Sequence, residues 1–513
     1  MTDIRHVIII GVDGLRPDQI NAQTMPNLTA MRERGVSSTD HRTVFPSETR
    51  GALSALANGA RPESTGVLGN EFYPRDGRNR LSGTDTLHDW RYGEANFLGG
   101  MVNTIGMNEA LAKSGKAFAV VNSSGQGSFT ALNWKGDALG QTSFNVRYPQ
   151  IAFPHDLALE ISQRHKVPSV GFDRGAQDQV VGIFTQSVWP ARKPNATIIW
   201  MNEVDSASHR HGLGAEGQLE SMIGCDKAIG DLLDWREHQP ERDAIAVFVT
   251  SDHGHSTIAG KASIGDVLAA AGISAATQFD DGVDIVYRRG RAPGLWLRKY
   301  DKGLLQAAYD ALLAQEWYGA TFTRAVEPGS HLGEIDGTLA ISLTGAGHFR
   351  APDLYINMRG DDLDNAHGIA GTSICDMGSY NIELGGGTHG GLHWSELAAV
   401  MIADGAGLRS GGQAIASRTG IDDIAPTALH MLGVQAPNTM TGRVMHELLE
   451  NGEPVPAPII EEYTATAGGK TSHIRFGRVG ERRYVDEATV SSAMAGADQQ
   501  ADRETVAAEA PAE

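Results

Sequence analysis

The sequence has almost no cysteine: Cys225 and Cys375 are the only two in 513 residues, far apart and without a CxxC neighbour. That excludes a disulfide framework and a thiolate zinc site, and leaves two buried free thiols as the expectation. It also lacks any stretch near the roughly 18 uncharged residues needed to cross a bilayer. Positive charge is scarce, with 43 Lys and Arg against 62 Asp and Glu, a formal net charge of −19. Such a surface repels phosphate backbones and anionic lipids, so neither nucleic acid nor membrane is expected as a partner. Met1 is followed almost at once by the core-like HVIIIGVDG. This leaves no room for a signal peptide, and the expectation is a soluble, cytoplasmic chain.

At 513 residues the chain exceeds one simple core, and a large domain with an insertion is expected. Apolar runs at 7–12, 117–122, 197–201, 245–250 and 397–403 alternate with helical patterns, which predicts parallel strands joined by crossover helices. The clearest helix spans 218–235, where Leu219, Met222, Ile223, Ile229, Leu232 and Leu233 form one stripe and Pro240 stops it. Thr24 is positioned to cap a helix carrying Pro26 in its first turn, with Gly35 closing it in a left-handed conformation. Residues 104–113, ended by Gly115, repeat that plan, and Asp423 caps a segment with Pro426, Leu429 and Leu432 that ends at Gly433. Helical and strand-like stretches in 261–345 suggest a small inserted α+β cap, dividing a catalytic core of 1–260 and 346–450. A C-terminal extension covers 451–486, and the Ala- and Glu-rich tail of 487–513 is expected to be disordered or weakly helical.

Chemistry-bearing residues sit where these runs end. In open α/β sheets ligands gather beyond the carboxyl ends of the strands. Asp13 follows HVIIIGV, Asp205 and His209 follow ATIIWMNEV, and Asp252 and His253 follow AIAVFVTS. The three-residue gap lets Asp205 and His209 reach one ion from a single turn. Carboxylate with imidazole suits Zn²⁺, Mn²⁺ or Fe²⁺ better than Ca²⁺, with zinc as the default. His389 lies in GGGTHGG, whose glycines permit close backbone approach, and is preferred to His393 beside Trp394. Thr49 closes TVFPSET at a helix start, where oriented N–H groups favour an alkoxide or a phosphoryl group, although an ordinary capping threonine fits the same position. Asn70 reads either as a turn residue beside Gly69 or as an amide donor to a phosphoryl oxygen, and Arg50 either as a partner for a substrate anion or as a solvent-facing helix residue.

Taken in order, Asp13, Thr49, Asn70, Asp205 with His209, Asp252 with His253, and His389 resemble the site residues of the alkaline phosphatase superfamily. The stretch from Thr49 through GARPESTGVLGN resembles the nucleophile helix and oxygen-binding Asn of its nucleotide pyrophosphatase/phosphodiesterase and phosphonoacetate hydrolase branches, and IDDIAPTALHMLGV resembles their closing helix. The resemblance implies a three-layer α/β sandwich with a mostly parallel sheet. It implies two zinc ions, one held by Asp205, His209 and His389, the other surrounded by Asp13, Thr49, Asp252 and His253. Thr49 would then be the nucleophile of a covalent phospho-threonine mechanism, with Asn70 and the Thr49 backbone N–H holding the phosphoryl oxygen. Arg50 and Gly51 stand where the nucleotide pyrophosphatases carry Phe-Pro-Asn after the nucleophile, which argues against a nucleotide substrate. The expectation is a hydrolase of phosphodiester or pyrophosphate bonds in a small molecule. A phosphonate or phosphomonoester hydrolase is the alternative, an inactive metal-binding protein the remote one, and a homo-oligomer is left open.

Overall fold

The computed structural model describes residues 4–76, 78, 80–169, 171, 176–376 and 382–492. Its centre is a nine-stranded mixed, mostly parallel sheet. The strands run in the order Ala398–Ala399, Val36–Arg42, Met401–Gly405, Ile245–Thr250, His6–Val12, Ala196–Met201, Phe118–Asn122 and Thr142–Asn145, and Gln413–Gly420 also pairs with Val36–Arg42. His6–Val12 pairs in parallel with both Ala196–Met201 and Ile245–Thr250, and every residue of the three is buried. Strands covered on both faces have no polar side to alternate with, which is why they read as continuous apolar runs.

Alternate side chains of these strands feed two cores. Val7, Ile9, Ile198 and Trp200 pack with Leu53 and Leu56 of the helix Thr49–Asn58 and with Ala425 and Leu429 of Ile424–Met431. Ile8, Ile10, Ile199 and Met201 pack on the opposite face with Leu28, Met222, Ile229 and Leu232, from the helices Pro26–Arg34 and Glu216–Glu237. The result is the three-layer sandwich. Ile223, placed in the stripe of that long helix by spacing, is 51% exposed.

The inserted region forms a six-stranded sheet backed by the helices Ile264–Ala270 and Lys302–Leu313. Leu354–Ile356, beyond 345, adds a strand to it. Its other face is continuous with the main core: Val286, Trp296, Phe322 and Tyr355 join the cluster of Phe45 and Leu53, with the Phe45 and Tyr355 rings 5.1 Å apart. The C-terminal extension is a three-stranded antiparallel sheet, Ile459–Ala467, Lys470–Val479 and Arg482–Ser492. Residues 487–492, expected to be disordered or weakly helical, are therefore strand. Ala488 is buried and its N–H donates to the Leu392 carbonyl at 2.8 Å, so pairing and docking order a segment whose composition is unremarkable. The remainder of that expected tail, 493–513, lies outside the described residues.

Local punctuation differs in detail. Met25, not Thr24, occupies the cap position of Pro26–Arg34, and Gly35 has φ −96°, not a left-handed angle. Glycine is needed there for a close approach: a Cβ would lie 2.2 Å from the Ala403 carbonyl oxygen. The helix expected from 104 starts at Met107. Asp423 makes no side-chain cap bond to its helix, accepting instead from the Gly420 and Arg443 N–H groups and the Tyr484 hydroxyl. Cys225 and Cys375 are free and buried. Among the described residues no helix is long and apolar enough to cross a membrane.

Candidate metal centre and active site

Parallel pairing brings the carboxyl ends of His6–Val12, Ala196–Met201 and Ile245–Thr250 to one edge; the turns after the first and third carry Asp13, Asp252 and His253, and the helix Glu203–His211 after the second carries Asp205 and His209. Thr49 is the first residue of the helix Thr49–Asn58. His389 directly follows the short strand Gly387–Thr388.

Seven side chains and one further histidine form two adjoining clusters. Around Nε2 of His253 lie Asp252 Oδ2 at 3.3 Å, Thr49 Oγ1 at 3.3 Å and Asp13 Oδ1 at 3.6 Å. Around Oδ1 of Asp205 lie Nε2 of His209 at 3.2 Å, Nε2 of His255 at 3.2 Å and Nε2 of His389 at 3.6 Å. The His253 and His389 rings stack with centroids 3.6 Å apart, joining the two groups. Sequence reasoning singled out every member except His255, whose signal was its place two residues after His253 in DHGH. His393 is elsewhere: it caps the turn Trp394–Leu397, with Nδ1 against the Ser395 hydroxyl.

The imidazoles share one orientation device. Nδ1 of His209, His253, His255 and His389 lies 2.7–3.0 Å from a backbone carbonyl, of Gly387, Gly254, Gly14 and Ser47 respectively. A carbonyl only accepts, so each Nδ1 carries the proton and each Nε2 turns a lone pair into the site. Asp13 Oδ1, Asp205 Oδ1, Asp252 Oδ2 and His255 Nε2 are buried without a hydrogen-bond partner. Buried polar atoms are rarely left so, and a cation satisfies lone pairs of this kind together. Remaining carboxylate oxygens are tied down: Asp13 Oδ2 accepts from Trp200 Nε1 at 3.1 Å and Asn202 Nδ2 at 3.2 Å, and Asp252 Oδ1 from the Gly14 N–H at 3.1 Å.

The protein's own field carries the same message. Burial, reinforced by Asp252 and Asp205, raises Asp13 well above the usual carboxylate range. Burial also pushes Asp252 up to about 7. Burial opposes ionisation of Asp205 as well, but the adjacent His209 and His255 overcome it and hold Asp205 well below its ordinary range. Burial depresses His253 to about 3 and lowers His389 and His255. Burial lowers His209 too, but Asp205 beside it outweighs this and raises it. A divalent cation among these groups would offset the cost of ionising Asp13 and Asp252, and His253, His255 and His389 stay neutral and able to donate.

The clusters open into a cavity of about 520 Å³ lined by Thr49, Arg50, Asn70, Asp205, His209 and His389. Arg80, Tyr287, Arg288 and Arg289 also line it. Glu48, which sequence reasoning passed over, braces the cavity wall: its carboxylate accepts the Asn70 N–H at 2.6 Å and pairs with Arg288 at 3.0 Å. Asn70 Oδ1 accepts the Arg50 N–H at 3.1 Å. Arg50 is ion-paired with Asp85 and donates to Thr84 Oγ1 at 3.3 Å, so it is neither a loose surface group nor free of partners.

The profile of the family described as type I phosphodiesterase / nucleotide pyrophosphatase matches residues 7–355. Similar curated proteins include ectonucleotide pyrophosphatase/phosphodiesterase family member 3 of Bos taurus, 22% identical over 49% of this chain and 25% of that protein. Bis(5'-adenosyl)-triphosphatase of Xenopus laevis is 23% identical over 48% of the chain and 46% of that protein, and family member 7 of Rattus norvegicus 24% over 50% and 51%. The chain thus spans about half the length of these relatives or less. Among solved structures, murine and human ectonucleotide pyrophosphatase/phosphodiesterase 5 share the fold, with TM-scores of 0.56 and 0.59 at 15% and 14% identity. Each comparison covers 87% of this chain and all of the other. On the match over 7–355, the chain belongs to the type I phosphodiesterase/nucleotide pyrophosphatase family, within the alkaline phosphatase superfamily.

Proposed function

We propose that the protein is a two-metal hydrolase of phosphodiester or pyrophosphate bonds in a small molecule, working through a covalent phospho-threonine. The observation that carries this reading is the position of Thr49: its hydroxyl lies 3.3 Å from His253 Nε2, at a helix start and on the cavity wall. Asp13, Thr49, Asp252 and His253 would hold one ion, and Asp205, His209 and His389 the other; zinc suits the donors, and Mn²⁺ and Fe²⁺ are compatible. Two bound divalent cations supply Lewis-acid stabilisation of the attacking and leaving oxygens of an in-line displacement.

The chain's own groups then have distinct tasks. Thr49 Oγ1 gives up its proton to solvent and attacks phosphorus, the bond from phosphorus to the departing oxygen breaks, that oxygen leaves with the rest of the substrate and is protonated by water as needed, and the phosphoryl group passes to the threonine. The Asn70 amide and the N–H groups of the helix start stabilise charge on the non-bridging oxygens. Water then cleaves the phospho-threonine and frees Thr49. Arg50, on the wall, would bind a negatively charged part of the substrate at the expense of its pairing with Asp85. Among the described residues lining the cavity, Tyr287 is the one Phe, Tyr or Trp, which gives a nucleobase little surface to stack on.

The test is a panel of bis-aryl phosphate, aryl phosphate, aryl phosphonate and phosphonoacetate, run with zinc-loaded and chelator-stripped protein. Turnover highest on the diester, lost on stripping and lost in Thr49→Ala, is expected. Preference for the monoester or the phosphonates would move the assignment to that class, and no turnover across the panel by protein holding two zinc ions would overturn it.

A further inference from the structure

His255 has no role in the reading above, yet it is fully buried and faces the same carboxylate oxygen as His209 and His389. We propose that His255 is a fourth protein ligand of the ion held by Asp205, His209 and His389, so that one carboxylate and three imidazoles bind that ion. The proposal rests on the two-metal reading.

The spacing fits. Donors sitting about 2.1 Å from a common ion are themselves about 3–3.4 Å apart. The three imidazole nitrogens stand 3.2, 3.2 and 3.6 Å from Asp205 Oδ1. The His255 ring centroid lies 5.2 Å from that of His209 and 5.1 Å from that of His389, and the ligand atoms of Asp205, His255 and His389 all lie within 4.8 Å of one another.

Most buried polar atoms find a hydrogen-bond partner. Here Nδ1 meets the Gly14 carbonyl at 3.0 Å while Nε2 has no hydrogen-bond partner, and neither has Asp205 Oδ1 opposite it. Two lone pairs at 3.2 Å repel unless a cation lies between them. The chain also makes room for this ring. Gly14 has φ +69°, and a Cβ there would stand 2.3 Å from His255 Cε1. The cation could be a proton shared by His255 and Asp205, and a metal ion differs from it in measurable ways.

The full-length protein, stripped with chelator, is titrated with Co²⁺ alone and followed by calorimetry and by the visible absorption of the bound ion. Wild type is expected to take up two equivalents. In His255→Ala the Co²⁺ of one site binds about tenfold or more weakly. Its visible absorption changes, because the ion has lost an imidazole donor. In His255→Gln, which preserves bulk, the same site weakens too. If both variants bind two Co²⁺ with wild-type affinity and spectrum, His255 is a packed or proton-sharing residue and the proposal fails while the two-metal reading stands. If wild type binds fewer than two ions, both fall. A crystal structure of the zinc-loaded wild type makes the test independent of how the variants fold. His255 Nε2 within about 2.3 Å of a zinc anomalous peak supports the assignment. A His255 ring that touches no metal overturns it.

Discussion

Oδ1 of Asn70 accepts the backbone N–H of Arg50 at 3.1 Å, which fixes the carboxamide with its NH₂ group left for the cavity that Asn70 lines. The two readings open at the sequence level, turn residue and amide donor, are thereby compatible: the turn presents the donor. Asn70→Ala is expected to lower kcat about 10²–10³-fold, the loss usual for one donor to a developing oxyanion. Metal content should be unchanged. Asn70→Asp keeps the shape but puts a carboxylate against the phosphoryl group, and its kcat should fall at least as far. Steady-state kinetics alongside metal analysis decide this, and a kcat within twofold of wild type in Asn70→Ala would reduce the residue to a turn former.

Thr49 is 6% exposed, so its hydroxyl is reached only through the cavity. Thr49→Ala should abolish turnover while still binding metal, since the second cluster retains Asp13, Asp252 and His253. Thr49→Ser keeps the nucleophile without the methyl group that restricts its rotamers, and should retain a measurable fraction of kcat. Acid-quenching wild type during turnover and sequencing the phosphorylated peptide should place the phosphate on Thr49. A phosphate-free peptide under conditions where hydrolysis of the intermediate is slowed would argue for direct attack by water.

What was legible in the sequence follows from what each segment does physically. The strand at 7–12 stood out because both its faces are buried, and Asp13 stood out because it ends that strand. Helix ends were less legible: Thr24 looks like a cap, but its hydroxyl is buried and unbonded while Met25 occupies the position. Residues 487–492 resemble a disordered tail in composition because their order comes from cross-strand pairing with Lys470–Val479, a non-local term that composition does not encode. His255 is not legible in the sequence because DHGH reads as a turn. Only the convergence of turns from different strands shows that its Nε2 meets Asp205.

Trp200 links the core to the site. Its ring is fully buried on the central sheet, and Nε1 donates to Asp13 Oδ2 at 3.1 Å. Trp200→Phe removes the donor while keeping most of the apolar volume. The bond to Asn202 remains, but the carboxylate loses one of the two restraints that aim Oδ1 at His253. Affinity for the ion on the Thr49 side should fall about 10-fold to 100-fold, as for other groups that orient a metal ligand. Zinc titration of the stripped protein reads this directly, and an unchanged binding curve would show that Asn202 alone suffices.

Away from the site, His41 should make the fold acid-sensitive. It is 1% exposed on the strand Val36–Arg42, its Nδ1 lies 2.8 Å from Thr419 Oγ1, and its Nε2 has no partner. Burial, then the charges of Arg42 and Arg443, lower its pKa to about 3. The unfolded chain takes up this proton near pH 6.5, whereas the folded chain resists it down to about 3, so the unfolded state binds more protons between those values. The contribution of a neutral His41 is therefore fully present above pH 6.5 and is lost progressively as pH falls toward 3. At pH 5 the loss amounts to about 2 kcal/mol, taking about 1.4 kcal/mol per pKa unit. His41→Gln cannot titrate. Measured by urea unfolding, its stability should drop about 2 kcal/mol less than that of wild type between pH 7.5 and pH 5. Histidines and metal ligands elsewhere titrate in both proteins and cancel from the difference. Parallel pH dependences would mean that water reaches His41 and that the folded strand accepts its proton without strain.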